Sequence, residues 1–175
     1  MSTVDASTDL ERLLSPVGTG LSAELFVRSL APVGSKSRQE DLVERLDGLR
    51  EDGRLADLRV TVWGDSVCPD GALADVGGGA HIVPTIASFY ALAAKRNFSV
   101  APFFRNGTVR SSITDEEFQR IVPPQRCLAL SDAEGDLVGV FPCLVDDVVH
   151  TPETAVTYLE ATAGEPSHAL AEDSA

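Results

Sequence analysis

The stretch from Glu24 to Trp63 restricts the fold more than any other part of this chain. ELFVRSLAP is an apolar run of strand length that closes at Pro32. After the turn VGSKS, Ser37 and Glu40 form an S-x-x-E capping box, in which each side chain answers a backbone N–H left unpaired by the first helical turn. Leu42, Val43, Leu46 and Leu49 then recur at helical spacing until Gly53 supplies a stop, which predicts a helix over 38–52. LRVTVW, at 58–63, returns to β-branched alternation. Two strands separated by a helix of this length cannot form a tight hairpin; they lie parallel, joined by a right-handed crossover. The chain is thereby committed to an α/β arrangement.

The later elements are punctuated by glycine and proline. Residues 66–80 are rich in Gly, Asp and Pro and read as a long loop, of the kind that is functional or disordered inside a compact domain. Gly77 to Gly79 are not a phosphate loop, because no Lys-Ser or Lys-Thr follows. A second helix is expected from Ile82, with Pro84 in its first turn, an apolar face of Ile82, Val83, Ile86, Phe89, Tyr90 and Ala93, and an end at Arg96 and Asn97. Phe98 to Phe104 is aromatic but broken by Pro102, so a strand there is an edge or irregular one. Thr114 and Glu117 repeat the capping box and predict a short helix over 115–121, stopped by Pro123 and Pro124. CLALS and LVGVF flank DAEGD as a hairpin. Thr151 and Pro152 open a last helix with Ala155, Val156 and Leu159 inward, stopped by Gly164. The expectation is one small α/β domain over 23–164 with a mixed sheet. A mostly disordered lead at 1–22, with one helical turn at Leu10 to Leu14, precedes it, and a disordered acidic tail at 165–175 follows. The alternative is an α+β chain carrying a helix-turn-helix.

Charge and cysteine usage limit the partners. Acidic residues number 27 against 14 basic ones, for a net charge of −13, and only Lys36 and Lys95 among the basic set are lysines. This balance resembles that of proteins from salt-loving archaea, where self-repulsion keeps a chain soluble and multimolar salt cuts the Debye length to about 3 Å or less. No segment reaches the ~20 apolar residues needed to span a bilayer. MSTVDASTDLER lacks the basic start and apolar run of a signal peptide, so a cytoplasmic location is expected. Cys68, Cys127 and Cys143 are an odd set without C-x-x-C spacing, which fits reduced thiols better than a disulfide framework.

The residues that carry chemistry are few. Lys95, Arg96, Arg105, Arg110, Arg120 and Arg126 outnumber Asp115, Glu116 and Glu117, making 95–126 locally basic in an acidic chain. Phe98, Phe103 and Phe104 lie among them, and Phe103 and Phe104 with these cations form a candidate surface for stacking bases or binding an acidic partner. The plainer account makes the phenylalanines core and pairs the arginines with surplus carboxylates. His81, Asp70, Asp75 and Cys68 form a loose cluster, better read as a solvated loop than as a metal site, so no metal and no cofactor are expected. Cys68, before Pro69 in a loop, is the candidate reactive thiol, whereas Cys127 and Cys143 lie in or beside strands as small buried residues. A cysteine with no positioned base is weak evidence of catalysis. Ser111 and Ser112 suit an anion or a cap, and the adjacent carboxylates Glu116 and Glu117, or Asp146 and Asp147, read as surface.

The order β, α, β, α, short β or loop, short α, β, β, α is similar to the thioredoxin-like arrangement over residues 24–162. The resemblance includes IVPP at 121–124, where that superfamily places a cis-proline before a strand. Where its redox members carry C-x-x-C, this chain has Pro32 to Ser37, so the resemblance implies a scaffold without dithiol chemistry. ELFVRSLAPVG, VTVWGDSV and VRSSIT also resemble a family of small haloarchaeal proteins described as helix-turn-helix-domain proteins. That likeness implies an archaeal halophile and a nucleic-acid role. Its best local helix pair, 82–96 and 115–121, is more widely separated than such a motif allows. Two readings lead: a non-enzymatic cytoplasmic binding or regulatory protein, in its sharpest form a DNA-binding transcriptional regulator, or a redox-inactive thioredoxin-like adaptor for other proteins. An enzyme using Cys68 or the loop at 66–80 ranks last. A homo-oligomer is compatible with all three.

Overall fold

The computed structural model describes residues 10–14, 20–28, 35–64, 79–110, 112–115 and 117–162. At its centre is β1 (Leu21–Val27), whose Leu25 and Phe26 are wholly inaccessible to solvent. α2 (Ser35–Glu51) crosses from β1 to β2 (Leu55–Val62), which pairs parallel with β1 in the register Leu25↔Val60 and Phe26↔Thr61. On its other side β1 takes β5 (Arg126–Ser131) antiparallel, Phe26 facing Cys127, and β5 is followed by its hairpin partner β6 (Leu137–Phe141). The result is a mixed four-stranded sheet in the order β2-β1-β5-β6 within an α/β domain.

Alternation along β1 sends side chains to two faces. Leu25 and its strand neighbours Val60 and Leu128 share one face, and Leu58 on that face meets Val43 of α2. α4 (Pro152–Thr162) lies beside α2 on this side. Arg45 clamps the two helices, with its Nη2 donating to Glu160 Oε1 at 2.6 Å and Thr157 Oγ1 at 2.9 Å. Phe26 points the other way, to α3 (Gly79–Arg96), where it meets Phe89 edge-on at 5.8 Å and stacks on Trp63 at 4.8 Å. A helical turn at 10–14, α1, docks Leu10, Leu13 and Leu14 in the core, so this part of the expected lead contributes packing. Leu14 lies so close to Gly139 that a Cβ added there would come within 3.2 Å of its Cδ2.

The C-terminal ends of α2 and α3 follow the chemistry expected of them, and their starts do not. Gly53 sits at φ +79, with Gly53 N donating to Arg50 O and Arg54 N to Leu49 O, the two bonds of a Schellman stop. Asn97 ends α3 at φ +60, and Phe98 N reaches back to Ala93 O. Helix α2 already includes Ser35, so Ser37 lies inside the helix and not at its cap. Likewise α3 starts at Gly79, which moves Pro84 out of the first turn.

Between α3 and β5 one expectation is met in its looser form and one is corrected. Phe98 to Phe104, expected as a short strand or a loop, holds a single bridge, Ser99 to Leu144, and then a 3-10 turn at Ala101–Phe103. The helix expected over 115–121 is a strand: β3 (Arg105–Arg110) and β4 (Glu117–Val122) form a separate antiparallel ribbon. Asp115 at φ +59 is left-handed, a conformation that turns a hairpin and cannot open a helix. A third hairpin, β7 (Cys143–Val145) with β8 (Val148–His150), went unforeseen; Asp146 and Asp147, at φ 47 and 69, make its two-residue turn. The one cis peptide among the described residues is Phe141–Pro142, not a bond within 121–124.

Candidate functional site

The β3–β4 ribbon stands outside the main sheet and carries half of the basic residues picked out by sequence. Directly opposed residues of an antiparallel pair share a face. The register Arg105↔Val122 and Gly107↔Arg120 therefore puts Arg105 and Arg120 on one side, with Gly107 between them. Asn106↔Ile121 and Arg110↔Glu117 occupy the other side. At the base of the ribbon that second side touches the body: Ile121 packs against the core, and Asn106 hydrogen-bonds the Tyr90 phenol, whose pKa burial raises and this bond partly restores. Arg105 and Arg120 thus face outward. Both are exposed, and neither makes an ion pair among the described residues.

The other candidates separate from this pair. Arg110, on the inner face, holds Asp115 across the turn at 3.0 Å. Arg126 is bound to Glu153 of α4 at 2.8 Å and is largely enclosed. Arg96 donates from Nη2 to the carbonyls of Arg12 and Leu13 at 3.2 and 3.0 Å, closing the end of α1 and tying it to α3. Lys95 is exposed one residue earlier. Phe104 is not a stacking platform: only 1% exposed, it packs edge-on against Trp63 at 5.7 Å and Phe89 at 6.2 Å. Phe103 is half-buried against the same core, and Phe98 is buried. A short aromatic segment is drawn inward by the apolar area it offers, and that area outweighs its basic neighbourhood.

Cys68, Asp70, Asp75, Ser111, Glu116 and the tail at 165–175 lie outside the described residues, as does the His81 side chain. Ser112 is exposed in the ribbon's turn, and Asp146 and Asp147 are exposed in theirs. Cys127 and Cys143 are fully buried. Burial pushes the Cys127 thiol well above its ordinary value, and the neighbouring Cys143 adds to the shift, so Cys127 is protonated and unreactive at neutral pH. Asp132, Glu134 and Asp136 gather their carboxylates at the β5–β6 turn. Asp132 Oδ1 there accepts from the backbone N of Glu134 and of Asp136, the ordinary work of an aspartate in a turn.

Sequence reasoning missed the ribbon because Thr114 and Glu117 imitate a capping box. The contrary signal was the alternation of EFQRIV and the β-branched pair Thr108 and Val109. It also missed Trp63 as the hub of the aromatic cluster, which joins Phe26 to Phe104.

Among the described residues no two α-helices are joined by the turn of roughly three or four residues that defines a helix-turn-helix; the four residues after α3 lead only to the three-residue 3-10 turn at Ala101–Phe103. β2 intervenes between α2 and α3, and the 3-10 turn and then the ribbon follow α3. No helix of the described residues is long and apolar enough to cross a membrane. Neither the curated proteins nor the solved structures gave a match to the chain. One family model does match, that of a helix-turn-helix domain, and it takes in every strand of the sheet, the ribbon and α4; on that match over residues 17–164 the chain belongs to this helix-turn-helix domain family.

Proposed function

We propose that the chain is a non-enzymatic, cytoplasmic nucleic-acid-binding regulator of a salt-loving archaeon, and that the β3–β4 ribbon is the part that meets the nucleic acid. The carrying observation is the outward face of that ribbon, where Arg105 and Arg120 stand exposed without carboxylate partners among the described residues. A two-stranded ribbon is one of the two elements the DNA major groove admits, and arginines on such a ribbon contact phosphates and base edges. Membership of a helix-turn-helix domain family supports the same reading. Lys95 is the remaining candidate contact. Arg96, Arg110 and Arg126 act in positioning, because each already serves a partner inside the chain.

The test is fluorescence anisotropy with a labelled DNA duplex over a series of salt concentrations. Replacing Arg105 and Arg120 by Ala weakens binding and reduces the salt slope by about 2, one unit for each phosphate no longer neutralised. Arg110→Ala changes the slope less. Absence of binding by the wild-type chain at every salt concentration sinks the proposal.

The alternative, a redox-inactive thioredoxin-like adaptor, draws support from one observation. The crossover β1-α2-β2, the β5–β6 hairpin and the closing α4 follow the element order of that arrangement. Insulin-reduction activity that depends on the chain's cysteines would count against it.

A further inference from the structure

Strand β2 is one edge of the sheet. It pairs with β1, and among the described residues nothing pairs with its outer edge. The opposite edge strand differs: Val138, Val140 and Phe141 of β6 are buried, with Leu14 of α1 over Gly139. On β2, by contrast, Val60 and Val62 are 45% and 54% exposed, and Ala56, Asp57 and Arg59 are exposed beside them. Its residues, LADLRVTV, contain no proline, and the register irregularity lies at its start, opposite Leu21 and Ser22. An uncovered strand of this kind presents a row of backbone donors and acceptors ready for another strand.

The side chains say which strand that is. Asp57 and Arg59 flank Leu58 and share the face opposite to it. Neither makes an ion pair within the chain among the described residues. Glu24, the β1 neighbour of Arg59, already accepts a hydrogen bond from Thr61 Oγ1 at 2.6 Å. Now let a second β2 run antiparallel along the edge about a two-fold axis at Leu58. Asp57 then stands opposite Arg59 of the second copy, and Arg59 opposite its Asp57. On the other face, Leu58 meets its own counterpart, and Ala56 stands opposite Val60 in both directions. A two-fold centred on Asp57 or on Arg59 would set like charges face to face, which is unfavourable. Only the register centred on Leu58 sets the strand's opposite charges against each other, the self-complementarity a two-fold interface requires.

We infer that β2 is a homodimerisation edge: two copies of this chain join their sheets through antiparallel β2 strands centred on Leu58, with reciprocal Asp57–Arg59 pairs fixing the register. This does not depend on the nucleic-acid reading, since it uses a different element.

A charge-complementation experiment tests it. Arg59→Asp gives a strand with acids at both positions, and Asp57→Arg gives one with bases at both. Each variant alone places like charges opposite in the dimer and sediments as a monomer, with its fold checked by circular dichroism. Mixed in equal amounts, the two regain both opposite-charge pairs and sediment as a heterodimer. The double variant D57R/R59D, with the charges exchanged, is again a homodimer. Sedimentation of the wild-type chain as a monomer at all accessible concentrations overturns the inference, and this outcome can be read even if the variants fail to fold. Wild-type dimers left intact by either single charge reversal overturn the proposed register and edge.

Discussion

Cys127 illustrates how position decides the chemistry of a side chain. It lies at full burial opposite Phe26, and its thiol is held in the protonated form by desolvation. The sign of the linkage follows. Its folded pKa is raised, so its contribution to stability is intact below the ordinary value of 9.0 and declines as the pH climbs above it, where only the unfolded chain ionises freely. Denaturant midpoints measured on either side of that pH fall on the alkaline side, and less so in Cys127→Ala. With a chromogenic thiol reagent, Cys127 and Cys143 are silent in the native chain and react once it is unfolded; a native titration that already counts all three cysteines would contradict their burial. The inward character of these two residues was legible in the sequence, because each sits in an apolar run of strand type. That Arg126 would meet a carboxylate also followed from the plainer account of the basic stretch, but which groups Arg96 and Arg126 bind did not. Their partners, the carbonyls of Arg12 and Leu13 and the carboxylate of Glu153, come from distant elements.

At the level of elements, the parts set by local chemistry were the readable ones. Thr151 and Pro152 open α4 as expected, with Thr151 Oγ1 accepting from Thr154 N at 3.1 Å. Thr151→Ala is expected to cost about 1 kcal/mol and lower the melting temperature by about 2–4 °C, with Thr151→Ser nearly neutral, as read by thermal circular dichroism. The stop at Gly53, the end of α3 at Asn97 and the β5–β6 hairpin were equally visible, because each depends on a few adjacent residues. The β3–β4 ribbon was hidden for the converse reason. A capping box needs only the spacing of Thr114 and Glu117, whereas a strand needs a partner, and the partner here is read across a turn whose Asp115 adopts the left-handed conformation. The β7–β8 hairpin is shorter still. Its turn residues, Asp146 and Asp147, looked like two surface carboxylates, and their shared left-handed backbone is what marks them as a turn.

Across the whole molecule the dominant fact is a net charge of −13 on a single α/β domain. Self-repulsion of this size opposes compaction, and added salt screens it over a Debye length that is already about 8 Å at physiological ionic strength. The melting temperature should therefore rise with potassium chloride well beyond physiological concentration. A melting temperature indifferent to salt would mean that the acidic surface is not a strain on the fold. The molecule's order of assembly follows from the place of β1. Its two neighbours come from opposite halves of the chain, β2 soon after it and β5 only after α3 and the ribbon. During synthesis β1 and β2 can pair early, but the second side of β1 stays bare until β5 leaves the ribosome, and pairings so distant in sequence form slowly. For that interval the nascent chain exposes two unpaired strand edges, and β5 closes only the one on β1; among the described residues the outer edge of β2 is left for a second copy to cover.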